Sequence, residues 1–144
     1  MSTVFTKIID GDLPVPGRFV WTDDRAVAFL SINPLAPGHT LVVPRAEVDR
    51  WTDADPDLLA HLTAVSHAIG SAVQAVYEPP RVGLLVAGFE VPHLHLHVFP
   101  AADMAAFDFA NAAAEVDGAE QERHAESLRA ALRSAGHGAH VPES

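Results

Sequence analysis

Three histidines stand at alternate positions in the run His93-Leu94-His95-Leu96-His97. On an extended strand, side chains alternate between faces, and residues two apart lie about 6.5–7 Å apart along it. His93, His95 and His97 then share one face, while Leu94, Leu96 and Val98 share the other, the core face. Packing does not explain an apolar side backed by an all-imidazole side. A His-x-His pair can bind zinc through bonds of about 2.0–2.1 Å. Three alternate histidines span about 13 Å along a strand and cannot all reach one ion. A metal site would use two of them and a third ligand from among His39, His61, His67, Glu90 and Asp103, and no spacing selects one. Nucleophilic catalysis uses all three. A neutral imidazole carries a lone pair on one nitrogen and a proton on the other. A backbone carbonyl that takes the proton leaves the first nitrogen facing a substrate in the right tautomer. Such a ring can attack phosphorus and form a covalent intermediate, and neighbouring imidazoles can donate hydrogen bonds to the phosphoryl oxygens. His95, flanked on both sides, is the candidate nucleophile.

The rest of the chain limits what such a site serves. Its 144 residues suit one domain, and 49% of them are apolar, enough for a single core. The absence of cysteine removes disulfides, thiolate metal sites and a cysteine nucleophile, and fits a reducing compartment. No apolar run approaches the roughly 20 residues that span a bilayer, and residues 1–7 lack the apolar centre of a signal peptide. A cytoplasmic protein without membrane contact is expected. The formal charge is −10, and acidic residues are densest after position 100. That balance disfavours a nucleic acid polymer, which needs a basic face. It still permits one small phosphorylated ligand, held by histidines, backbone N–H groups or a helix N-terminus.

The elements that must position the histidines follow from pattern. No internal repeat and no strong linker is present. Residues 5–10 read as a short helix closed by Gly11, and 13–17 as a turn-rich segment. The apolar runs 19–22 and 26–32, separated by Asp23-Asp24-Arg25, suggest a hairpin. A loop over 33–38 leads to a strand at 40–43, stopped by Pro44. Asp55-Pro56 is a helix start, and Leu58, Leu62, Val65, Ile69, Val73 and Val76 recur at helical spacing until Pro79-Pro80. Strands follow at 82–87 and 94–99. The Ala-rich stretch 101–118 has Phe107 and Phe109 as anchors, 120–134 reads as an exposed helix, and 136–144 as a loose tail. This order indicates an α+β fold with a mainly antiparallel sheet of about five strands, one long helix and one short one. It divides into a domain at 1–103 and an acidic extension, helix plus tail, at 104–144. His61 and His67 on the long helix, and His124, His137 and His140 in the extension, read as surface residues.

The run from His93 to Phe99 resembles the signature of the histidine-triad (HIT) family, His-x-His-x-His followed by two apolar residues. Residues 5–14 are similar to that family's opening segment and 32–44 to its second block, in the same order, so the resemblance covers 5 to about 100. It implies a HIT-like fold and a small nucleotide hydrolase or transferase acting on a nucleoside phosphate of phosphoramidate or mixed-anhydride type. By the same resemblance His95 becomes nucleotidylated, His93 orients it through its backbone carbonyl, His97 contacts the phosphate, and His39 is a fourth histidine near the site. Phe5, Ile8, Leu13, Phe29, Ile32 and Leu41 match positions that line the base and ribose pocket. No cofactor is required, and a homodimer through the long helix and a sheet edge is implied.

Departures from the pattern mark Ser31, which stands where the family commonly has an Asp on the ribose hydroxyls. The loop through Gly88 lacks the usual Asn, Phe89 replaces a Gln, and Glu90 replaces a Ser near the phosphate. A carboxylate there repels a phosphate unless it turns away or is protonated. Three readings stay open: the hydrolase or transferase, a nucleotide- or anion-binding module with little turnover, and a metal-dependent hydrolase.

Overall fold

The computed structural model describes residues 3–13 and 18–143; residues 14–17, most of the expected turn, lie outside them. Five strands form one antiparallel sheet in the order β1-β2-β3-β5-β4: β1 (Phe19–Thr22), β2 (Ala26–Leu30), β3 (Thr40–Pro44), β4 (Arg81–Leu85) and β5 (Leu96–Ala101). Helix α1 (Val4–Ile9) opens the chain, α2 (Pro56–Tyr77) links β3 to β4, and α3 (Gly118–Ser134) follows the sheet. Among the described residues no helix is long and apolar enough to cross a membrane.

Alternation along the strands supplies two apolar layers. Val20, Ala28, Leu30, Val42, Leu96 and Val98 face the helices and pack with Leu62, Ile69 and Val73 of α2. Val27, Phe29, Leu41 and Val43 face the other way, toward Phe5 and Ile8 of α1. Each fully buried Leu, Ile, Val or Phe contributes about 1.5–3 kcal/mol relative to exposure. α2 begins as its sequence dictates, with the Asp55 carboxylate accepting the Asp57 amide and Pro56 in the first turn.

Three expectations need correction. The helix at 120–134 is not an exposed appendage: Ala125, Leu128 and Leu132 are fully buried in the same core as α2. The buried Arg129 donates from Nε to the Phe19 carbonyl at 2.7 Å, tying α3 to β1. The segment after 103 therefore completes the core and adds a third helix. Nor is 136–144 loose where it is described, for a turn at Gly138–His140 lays His140 on Trp21, with ring centroids 4.9 Å apart and planes inclined by 26°. Finally, β5 starts at Leu96, two residues later than expected, so His93 and His95 precede the strand. Continuing the β3–β5 register would place Leu94 opposite Pro44, which has no N–H for the ladder. Leu94 N–H bonds instead to the Val48 carbonyl at 2.7 Å. The inward–outward alternation survives this, since Leu94 still enters the helix-side core.

Candidate active site

A cavity of about 590 Å³ opens on the α1 side of the sheet, within the range of small-molecule sites. Of the residues singled out from sequence, His39, His95, His97, Phe5, Ile8, Leu13, Phe29, Ser31, Ile32, Leu41 and Glu90 line it. Two do not. Gly88 is absent from its walls, and so is His93, which is fully buried behind them.

Each imidazole is held by a different part of the fold, and the bonds fix its tautomer. His39 follows Gly38, whose φ of +90° suits glycine and where a side chain would run into the Tyr77 ring. The Leu35 amide donates to His39 Nδ1 at 2.9 Å. The His39 proton is therefore on Nε2, which donates to His97 Nδ1 at 3.0 Å. His97 in turn carries its proton on Nε2, a buried donor with no partner among the described residues. His95 Nδ1 lies 2.7 Å from the His93 carbonyl. A carbonyl only accepts, so that nitrogen donates and Nε2 keeps the lone pair. His95 Nε2 stands 4.0 Å from a carboxylate oxygen of Glu90, itself 53% exposed at the cavity mouth.

His93 departs from the expected symmetry of two helping rings. Its Nε2 donates to the Pro44 carbonyl at 2.7 Å and its Nδ1 accepts from the Thr3 hydroxyl at 2.7 Å. That hydroxyl also caps α1 by accepting the Thr6 amide. The His93 ring thus anchors the start of α1, and only its backbone carbonyl serves His95. Phe5, carried by α1, sets its ring edge-to-face on His95 with centroids 4.9 Å apart.

Burial keeps these rings uncharged. Desolvation, then the charge of His95, lowers the pKa of His39 to about 4. Desolvation, then His95 and His39, lowers that of His97 to about 3. Burial also lowers His95, against the opposing pull of the His93 carbonyl and the Glu90 carboxylate. Near neutral pH all three are neutral. The site then offers one lone pair and one unpartnered N–H, on adjacent rings with centroids 4.8 Å apart. His61, His67 and Asp103, considered as third metal ligands, do not line the cavity. Among the described residues, no group of three His, Asp or Glu is arranged to hold a metal ion.

The HIT domain family matches residues 13–104. The chain belongs to the HIT family. It is 34% identical over 101 residues to an uncharacterized HIT-like protein of Methanocaldococcus jannaschii, covering 67% of this chain and 77% of that one. It is 30% identical to the bifunctional bis(5'-adenosyl)-triphosphatase/adenylylsulfatase of Arabidopsis thaliana, over 69% of this chain and 59% of that protein. The crystal structure of a zinc-bound histidine triad family protein from Mycobacterium smegmatis superposes with a TM-score of 0.79 at 28% identity, over 96% of this chain and 98% of that one. The family match ends at 104, so α3 and the turns before it are additions to the matched HIT segment.

Those additions reach the site, which sequence reasoning missed. Phe109 sets its ring edge on His97, centroids 5.1 Å apart, and lines the cavity with Ala112. Asn33 Nδ2 donates to the Ala113 and Ala114 carbonyls, and Gln121 Nε2 to the Ser31 carbonyl at 2.8 Å. Ser31 Oγ accepts the Asn33 amide at 3.1 Å. Arg18 was also missed. The histidines read as surface residues divide: His67 is exposed, but His61 is half-buried with Nε2 2.8 Å from Asp23, and His124 Nδ1 lies 2.7 Å from the Tyr77 hydroxyl.

Proposed function

We propose that the protein is a hydrolase or transferase of nucleoside phosphates, of phosphoramidate or mixed-anhydride type, working through a nucleotidyl intermediate on His95. The observation that carries this is the proton order: His93 carbonyl to His95 Nδ1 leaves the His95 lone pair free, and Leu35 to His39 to His97 leaves the His97 N–H free. In the first step His95 Nε2 forms a bond to phosphorus. The bond to the leaving group breaks, and that group departs with its electron pair and takes a proton from solvent water. His97 Nε2–H stabilises the charge gathering on a phosphoryl oxygen. In the second step water or another acceptor forms a bond to the same phosphorus and loses its proton to solvent, while the bond to His95 breaks and returns its electron pair to Nε2, so that His95 is released neutral. The His95 Nδ1–H bond to the His93 carbonyl holds through both steps, and the accepting oxygen stabilises the positive charge that the ring acquires. Glu90, beside the attacking nitrogen, favours a leaving group that departs as an amine over one that departs as an anion, because a carboxylate repels the latter.

Mass spectrometry of acid-quenched enzyme incubated with a nucleoside phosphoramidate tests this. Wild type is expected to gain one nucleotidyl mass, and His95→Ala none. Turnover that survives His95→Ala would remove the mechanism, and nucleotide binding without turnover in wild type would establish the binding module instead.

A homodimer belongs to the same proposal. β4 is a free sheet edge, with Leu84 54% exposed and Phe89 95% exposed beyond its end, a combination that invites pairing. Light scattering should give twice the chain mass, and a monomer at micromolar concentration would refute it.

A further inference from the structure

The cavity has two ends. His95, His97 and Glu90 stand at one. From there the sheet register runs from His97 on β5 to Leu41 on β3, to Phe29 on β2, and to Phe19 on β1. Strands lie about 4.8 Å apart, so Phe19 is three spacings, about 14 Å, from His97. Arg18, the neighbour of Phe19, lines the far end and, among the described residues, is the only Lys or Arg in the lining.

Arg18 is incompletely satisfied there. Its Nη1 donates to the Leu30 carbonyl at 2.7 Å, and among the described residues no carboxylate pairs with it. A guanidinium presents five N–H donors in a rigid fork. The residue is half-buried, which lowers its pKa, and its other guanidinium nitrogens are not sealed from solvent, so they stay open toward the cavity. No side chain among the described residues accepts from it: the Ser31 hydroxyl oxygen takes the Asn33 amide, and Asn33 is turned so that its Nδ2 meets the Ala113 and Ala114 carbonyls. A ligand in the cavity can supply the acceptors for this fork.

We propose that Arg18 reads the base of the bound nucleotide and selects a 6-oxopurine, guanine or hypoxanthine, over adenine. This rests on the nucleotide reading above. With phosphorus held at His95, the nucleoside lies over Leu41 and Phe29, and the edge of its base falls toward β1. The walls along that path are aromatic and aliphatic, which suits a flat base better than a second anionic group. Guanine and hypoxanthine present O6 and N7 side by side, a pair of acceptors that matches the guanidinium fork. Adenine places an amino donor beside N7, so one N–H of the fork would face another donor.

Calorimetric titration of the full chain with GMP, IMP and AMP tests this without requiring turnover. GMP and IMP are expected to bind at least about tenfold more tightly than AMP, as one bidentate contact allows. Arg18→Met brings both down to the affinity of AMP. Arg18→Lys keeps the charge without the fork and loses most of the preference, which carries the test should Arg18→Met fold poorly. Equal affinities in wild type, or an Arg18→Met loss shared equally by all three ligands, would overturn the assignment while leaving nucleotide binding in place. Failure of all three to bind would overturn it together with the nucleotide reading.

Discussion

Two histidine groups in this molecule have opposite physical characters. On the cavity face, His39, His95 and His97 are buried, hydrogen-bonded in a fixed proton order and held neutral by desolvation. Around Trp21, His61 is half-buried against Asp23, while His137 and His140 lie against the indole ring from the carboxy-terminal turn. Asp23 also accepts the Trp21 indole N–H at 2.8 Å and the amides of Arg25 and Ala26. Burial works to raise the pKa of Asp23, but those hydrogen bonds together lower it, so a carboxylate anchors that group. The first group has a polar atom left over for a ligand. In the second, hydrogen bonds join the hairpin to α2, and ring contacts with Trp21 add the tail. Histidine content therefore says little about function until burial and the direction of each proton are known.

The sharpest way to break this contrast is to remove the spare donor. His97→Phe keeps an aromatic ring and deletes the unpartnered Nε2–H. We expect kcat on a nucleoside phosphoramidate to fall about 10²–10³-fold, the usual loss for one donor to a developing oxyanion. His61→Ala should change it less than about twofold. Steady-state kinetics on the three proteins decides the matter, and equal effects from both substitutions would erase the distinction between the groups.

Much of this contrast was legible in the sequence. The spacing of His93, His95 and His97 and the alternating leucines gave the shared face, and Asp55-Pro56 marked the start of α2. What was lost depended on partners distant in sequence. Nothing near His93 announces that its ring turns to Thr3 and Pro44. The delay of β5 to Leu96 requires knowing that Pro44 would face Leu94. Ala125, Leu128 and Leu132 do recur at helical spacing, but the charged residues around them, Glu120, Glu122, Arg123, Glu126, Arg129 and Arg133, make α3 read as solvated. Arg18 carries no local signal, because its place at the cavity follows from how β1 pairs with β2.

A second prediction uses acid. The folded pKa values of His39 and His97, about 4 and about 3, lie below the unfolded value near 6.5. The unfolded chain then binds more protons as pH falls. Their contribution to stability is complete above about 6.5 and is lost as pH falls toward 4 and 3. Between pH 7.5 and 5 this amounts to about 2 kcal/mol for each ring, by the shift in proton binding. Asp23, with its lowered pKa, stays charged across that window and adds no slope. Urea unfolding at both pH values should show the loss in wild type, and His39→Phe should show less of it. A flat profile would mean that the cavity rings are not held neutral by burial.

The smallest expected effect tests the other group. His140 stacks on Trp21 from a turn that remains largely exposed, so its ring contributes packing without being enclosed. His140→Ala should cost about 0.5–1 kcal/mol, typical of an aromatic contact, and lower Tm by about 1–4 °C. Activity should not follow, since Trp21 packs toward the helices while the cavity lies across the sheet. The same carboxy-terminal segment carries Gln121, which holds the Ser31 carbonyl, and precedes it with Phe109 against His97. If loosening the tail propagated along α3, kcat would drop with stability in a thermal and kinetic series. Constant kcat across His137→Ala, His140→Ala and the double variant would instead show that α3 shields the cavity from its own carboxy-terminal end, as its buried Leu128 and Leu132 predict.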